Sequence, residues 1–266
     1  MLLPRLVPEG AHFLRVPCSK RAAMRVVLET VQRGARFWTG GLVPTAKALR
    51  FAERMAQLYS VDATQAQRSY AKSRGRANTT LLIYPESVAS LRFFLLATTG
   101  AGLVHEREQL LDTHDARGRL RWGEQYELLQ MQRPRAHGGG RTWTWRLTDE
   151  RYEMLLASMQ RAARNPGRPD ARHDDLDALV RALMRMPGFY GIRQQQLALL
   201  HAGQEAWRRT HAQTQTYAWP QHVPYLDKSF VCYHRPNALR LDVLVQVLQH
   251  RAQGLDDTGV SSRGAG

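Results

Sequence analysis

Apolar residues recur at helical spacing in some stretches of the chain and at strand spacing in others. Ser19 stands where a helix N-cap would. Met24, Val27, Leu28 and Val31 then follow in the i, i+3, i+4, i+7 pattern of one buried face, which Gly34 ends. A second helix is expected after Pro44-Thr45, with Leu49, Ala52, Met55 and Leu58 or Tyr59 facing inward. Before them, His12 to Val16 is a short β-prone run, and after them Gln65 to Ala77 is polar and basic, a loop or an exposed helix end. Thr79 to Tyr84 and Leu91 to Ala97 read as two strands joined by a turn at Pro85 to Ser90. Tyr126 to Gln132 and Thr142 to Leu147 read as a second pair. In the latter, Trp143, Trp145 and Leu147 alternate with Thr142, Thr144 and Arg146.

Thr148 caps a further helix carrying Tyr152, Leu155, Leu156 and Met159. Asn165 to Asp170, rich in Pro and Gly, is the expected domain boundary. Beyond it, Leu176, Leu179, Val180 and Leu183 mark one helix and the stretch from Ile192 to Arg209 another. Leu241, Leu244, Val245 and Leu248 mark the last. The expected organisation is an α+β domain over 1–165, a helical domain over 171–253 and a disordered tail over 254–266.

Composition sharpens this picture at one point. Of 266 residues, 38 are Lys or Arg and 23 Asp or Glu, a formal charge of +15. Only Lys20, Lys47, Lys72 and Lys228 are lysines, so the excess is arginine, which grips phosphate bidentately and stacks on bases. A polyanion is the expected partner. Residues 1–165 hold 26 basic and 14 acidic residues, against 12 and 9 beyond, which places the electrostatic footprint in the first part. Two cysteines, Cys18 and Cys232, make no disulfide framework and lack a C-x-x-C context. Residues 1–10 have no apolar signal-like run, and Arg92 interrupts the most apolar stretch, Val88 to Val104. A cytoplasmic protein that makes no use of a membrane is expected.

Three basic clusters carry the candidate chemistry. The first is Arg15, Lys20, Arg21, Arg25, Arg33 and Arg36, continued by Lys47, Arg50 and Arg54, with only Glu29 and Glu53 against them. Its plain alternative is a solvated helix face with Glu–Arg pairs. The second is Arg68, Tyr70, Lys72, Arg74 and Arg76, where a bendable Arg-Gly-Arg beside a ring suits nucleic acid and equally suits a solubilising linker. The third is Arg117, Arg119 and Arg121 beside Trp122. It continues into the hairpin loop with Arg133, Arg135, His137 and Arg141, whose alternative is a disordered tip.

Other chemistries lack their motifs. His-Gly-Gly-Gly at 137–140 is not accompanied by a G-x-S-x-G elbow, and neither a P-loop nor a G-x-G-x-x-G occurs. His201, His211, His222 and His234 are not at ligand spacing, and Asp174, Asp175 and Asp177 suit a helix start better than a metal. Trp143 and Trp145 read as core. No metal or other cofactor is expected. An RNA-cleaving reaction without a metal would use attack by the 2′-hydroxyl, a histidine for proton transfer and arginines for the transition-state charge. His12, next to the first cluster, is the candidate base.

A strand, an arginine-bearing helix from Ser19 to Arg36, paired strands and a later helical region follow one another. In this order the chain resembles the CRISPR repeat-RNA-processing endoribonucleases, above all the plasmid-associated type IV members. The likeness covers residues 10–165. It implies a ferredoxin- or RRM-like N-terminal part with antiparallel strands, followed by a mainly helical C-terminal part. It also implies binding of a repeat hairpin, metal-independent cleavage at its base, and retention of the product in an effector complex with other proteins. By position, Arg21, Arg25 and Arg36 would lie nearest the scissile phosphate, with Arg240 as an addition beside the last helix. That family's glycine-rich loop lies near the C-terminus, whereas Gly138 to Gly140 are central. The rival reading is a non-catalytic protein of a plasmid or mobile element that binds double-stranded DNA through a winged-helix-like unit around Leu147 and Thr148. A third is a basic scaffold whose helical half binds proteins.

Overall fold

The strand at the heart of the first sheet is one the apolar pattern hides. In the computed structural model, which describes residues 14–17, 19–133, 135, 138–165, 175–212, 215–225 and 239–259, β1 spans Ala35–Pro44. Gly40 and Gly41 interrupt its side chains, and glycine argues against a strand by propensity. Its place here is steric: a Cβ on Gly40 would lie 2.8 Å from the carbonyl oxygen of Phe93 on the neighbouring strand.

The chain divides into two compact units, one of Met1–Gly118 with Val231–Gly266, the other of Arg119–Phe230. The division thus falls at Gly118 rather than in 165–170. Charge follows it evenly: the first unit carries 21 basic and 12 acidic residues, the second 17 and 11.

In the first unit, α1 (Lys20–Gln32) precedes β1; α2 (Ala48–Tyr59), α3 (Gln65–Ser73), β2 (Thr79–Pro85), β3 (Ser90–Thr98), α4 (Leu103–Arg107) and β4 (Leu111–Asp112) follow. The sheet order is β2-β3-β1-β4 and every pairing is antiparallel. With α3 as an insertion, β1-α2-β2-β3-α4-β4 is the split βαβ arrangement of ferredoxin-like domains. The expected class holds, but its first slots are filled by β1 and α2, not by residues 12–16 and α1. On one face, Leu81, Ile83, Leu91 and Leu95 pack with Ala48, Ala52 and Met55 of α2. On the other, Trp38, Leu82, Phe94 and Leu96 are also buried, and α1 packs on β1 and β2 with Met24, Val27 and Val31 inward. Ser19 caps α1, its Oγ accepting from Ala22 N at 3.1 Å.

The C-terminal helix belongs to this unit. Val16 N donates to Leu239 O at 2.8 Å and Leu241 N to Leu14 O at 3.0 Å. These bonds lead into α8 (Leu241–Gly259), whose Leu241, Leu244, Val245 and Leu248 enter the same core as α2. The expected helical domain over 171–253 is therefore split. The tail expected from 254 is helical backbone up to Gly259, and 260–266 lie outside the described residues.

The second unit is a sheet of β5 (Arg121–Trp122), β6 (Tyr126–Gln132) and β7 (Arg141–Leu147), with α5 (Asp149–Arg164), α6 (Leu176–Met184) and α7 (Tyr190–Thr210). Thr148 caps α5 through Arg151 N at 3.3 Å. α7 packs on α5 and on the edge strand β7. The Gln195 side chain takes up that strand's end, accepting from Leu147 N at 2.7 Å and donating to its O at 3.2 Å. Trp145 is core, as expected, and so is Thr144 on the opposite face, whose Oγ1 accepts from Gly191 N at 3.0 Å. Among the described residues no helix is long and apolar enough to cross a membrane.

Candidate nucleic-acid interface

An arginine can hold phosphate only if its guanidinium is not committed elsewhere, so the partners of each basic residue decide its value. On α1, Glu29 binds two of the expected phosphate ligands, Arg25 at 2.9 Å and Arg33 at 3.3 Å. Lys20 is half-buried, and burial lowers its pKa despite the nearby Glu86. Arg36 donates Nε and Nη2 to Asp112 across β1 and β4, at 2.9 and 2.6 Å. Those bonds, aided by a backbone N–H from His114, hold the Asp112 carboxyl down at about 2. Arg240 is gripped by Asp242 at 2.6 Å and forms a β-bridge with the exposed Arg15. Of the three expected catalytic groups, Arg25 and Arg36 are thus carboxylate-bound, and His12 lies outside the described residues.

Arg68 serves the fold. It donates to the carbonyl oxygens of Val61 at 2.9 Å, Ala63 at 3.0 Å and Thr79 at 2.6 Å. Burial lowers its pKa. It ties α3 to β2, and α3 itself buries no residue. In the second unit Arg119 at 3.4 Å and Arg146 at 2.6 Å converge on the buried carboxylate of Glu127. The single face expected for Arg117, Arg119 and Arg121 does not form. Arg117 is in a turn of the first unit, Arg119 is taken by Glu127, and β5 has only two residues. In the hairpin loop Arg133 donates to Thr142 Oγ1 at 3.0 Å, while Arg135 and Arg141 are exposed. Pro134, Ala136 and His137 lie outside the described residues.

Several cations of the first unit are exposed and have no ion pair among the described residues. Lys47, just before α2, is exposed, as are Arg50 and Arg54 on the side of α2 away from its buried Ala48, Ala52 and Met55. A cleft of about 590 Å³ opens between the end of α2, α3, the segment 76–79 and the start of α4. Ser60 shapes it. Its left-handed φ of 51° ends α2, and a capping box of Thr64 and Gln67 then starts α3. Tyr70 lines the cleft at 57% exposure, and the Arg74 guanidinium stands 5.5 Å from its ring centroid. Lys72, Arg74 and Arg76 are exposed, with no carboxylate at ion-pair distance among the described residues.

The Arg74-Gly75-Arg76 turn is not a loose linker. Gly75 O accepts from Ala101 N, and Ala101 O from Ala77 N, both at 2.9 Å. This closeness requires Gly100, where a Cβ would fall 2.7 Å from Gly75 O, Arg76 C and Ala77 N. At the other side of the cleft the Tyr59 hydroxyl donates to Glu108. Burial and that bond push its pKa up to about 12, against the opposing fields of Arg107 and Arg54. Arg76 and the Asp62 carboxylate line the cleft itself, and Arg54 and Arg107 lie near enough to act on the Tyr59 hydroxyl. Neither Arg107 nor the Tyr59–Glu108 pair stands out in the sequence, because Leu103 to Arg107 carries no motif.

No known protein family, curated protein or solved structure matches the chain.

Proposed function

We propose that the protein binds structured RNA, with the cleft between α2, α3 and α4 as a contact surface of its first unit. One observation carries this reading: Tyr70 on the last turn of α3, with the Arg74 guanidinium against its ring, and Arg76 just beyond are exposed and have no ion pair among the described residues, and hydrogen bonds fix the turn that carries the two arginines. Phosphates would be held by Lys72, Arg74 and Arg76 on one side and by Arg54 and Arg107 on the other. An unpaired base would stack on Tyr70. The Asp62 carboxylate repels phosphate and accepts from a ribose hydroxyl, which favours RNA. A hairpin offers both elements, a duplex for phosphate contacts and unpaired bases at its loop or ends. α1 covers the sheet face opposite α2, so binding falls to the helices and the Arg-Gly-Arg turn.

Maturation of a repeat RNA, by attack of its own 2′-hydroxyl and with the product retained in a protein complex, is the specific form of this proposal. The test is a panel of labelled hairpin RNA, matching hairpin DNA and duplex DNA in EDTA at two salt concentrations, read by gel shift and on a denaturing gel. Preferred RNA binding is expected. The Lys72→Ala/Arg74→Ala/Arg76→Ala variant should weaken it and flatten the salt dependence by about 0.7–0.9 log unit for each phosphate left without its cation. A discrete cut in EDTA would add catalysis. Equal or better binding of duplex DNA, or an unchanged salt slope, would overturn the proposal.

A further inference from the structure

At the end of α7, Trp207 and His211 lie ring on ring, centroids 3.9 Å apart and planes 12° from parallel. Tyr217 stands 5.5 Å from Trp207, and Trp219 stands 4.7 Å from Tyr217. These rings, with His201, Gln204 and Arg208, line a cleft of about 680 Å³ in the second unit. That lies within the ~300–1,000 Å³ range of small-ligand sites. All four rings are half-buried, so each keeps surface open to solvent.

The rings are held from behind. Trp207 Nε1 donates to Gln215 O at 3.1 Å and Tyr217 Oη to Asp177 Oδ1 at 2.6 Å. Trp219 lies against Gly203 of α7, where a Cβ would come within 2.7 Å of its Cη2. Rings fixed in this way lose little freedom on binding a flat partner.

Charge selects among flat or cation-seeking ligands. Glu205 is shared between His201 at 3.8 Å and Arg209 at 3.6 Å. The Asp177 carboxylate receives the Tyr217 hydroxyl. Arg208 is exposed and has no carboxylate at ion-pair distance among the described residues. An aromatic cleft with a free guanidinium disfavours a quaternary ammonium and gives a neutral proline-rich peptide nothing to pair with Arg208. It suits a planar ring bearing an anion.

We propose that this cleft is a nucleobase-binding site, stacking one base on the Trp207–His211 pair and holding its phosphate through Arg208. The base comes from a single-stranded segment of RNA or from a free nucleotide; the chemistry is shared. The site stands on the second unit alone and does not require the cleft beside Tyr70.

The full chain is titrated with 5′-AMP and with a short single-stranded RNA, each against Trp207→Leu and Arg208→Ala, with thermal melts as a folding control. Trp207→Leu is expected to weaken the RNA about 5- to 150-fold, the loss of one base–aromatic stack. An abasic oligonucleotide should not distinguish Trp207→Leu from the wild type. If AMP responds alongside the RNA, free nucleotide is the ligand as well; if only the RNA responds, the base is presented by a strand. The Lys72→Ala/Arg74→Ala/Arg76→Ala variant keeps its AMP binding and its Trp207 dependence, which separates failure of this site from failure of the first. Should Trp207→Leu not fold, Arg208→Ala decides alone. Affinities unchanged in the folded variants would overturn the proposal. So would capture of a trimethyl-lysine or proline-rich peptide in place of nucleotides.

Discussion

Arg68 Nη1 donates to the carbonyl oxygen of Thr79 at 2.6 Å, so an arginine from the most basic stretch of the chain holds a strand in place. Removing it strands the carbonyls of Val61 and Ala63 as well. We expect Arg68→Ala to destabilise the protein by about 2–3 kcal/mol, since hydrogen bonds from a charged donor are among the stronger ones. Lys72→Ala, at an exposed position four residues on, should stay within ~0.5 kcal/mol. Urea unfolding compares the two, and equal effects would refute the distinction.

The Arg36–Asp112 pair sets a pH dependence. Asp112 titrates at about 2 in the folded protein against an ordinary 3.8. A depressed carboxylate contributes stability above its unfolded value and loses it as pH falls through the folded one. Arg36→Ala should therefore melt lower than wild type at pH 5–7, with the gap closing as pH falls from about 4 to about 2. A Tm difference independent of pH would contradict this.

Gly100 carries the Arg-Gly-Arg turn. At its φ of 126° a side chain is strained, and a Cβ would fall 2.7 Å from three backbone atoms of 75–77. Gly100→Ala must push that segment away. We expect a loss of about 1–3 kcal/mol together with weaker RNA binding, measured by thermal melting and gel shift. Gly139→Ala, in open space, should leave binding by the first unit unchanged.

Glu127 is a buried carboxylate between two arginines. Glu127→Ala leaves Arg119 without its counter-charge and Arg146 with only the exposed Asp149, at 2.9 Å. A loss of about 1–3 kcal/mol is expected, that of hydrogen bonds between charged groups whose remaining partners keep some access to water. Arg121→Ala, exposed on the adjacent strand, serves as the surface control in the same unfolding experiment.

Local chemistry was legible in the chain by itself. The caps at Ser19 and Thr148 and the buried faces of α1, α2, α6 and α8 follow from spacing and residue type. So do the pairs β2–β3 and β6–β7. Each depends on neighbours within one turn or one hairpin. Only the tertiary structure decided the rest. β1 pairs with β3, and the Phe93 backbone leaves no room for more than glycine at position 40, a constraint from 53 positions away. α8 joins the first unit because residues 14–16 pair with 239–241. Sequence spacing showed which arginines a helix turns outward, but not which of them meet a carbonyl or carboxylate. Arg36 meets Asp112 76 residues on, and Arg146 meets Glu127 across a strand pair. A guanidinium reaches several ångströms from its backbone, so its partner is set by whatever the fold brings within that radius. The cations left over define where a phosphate can bind.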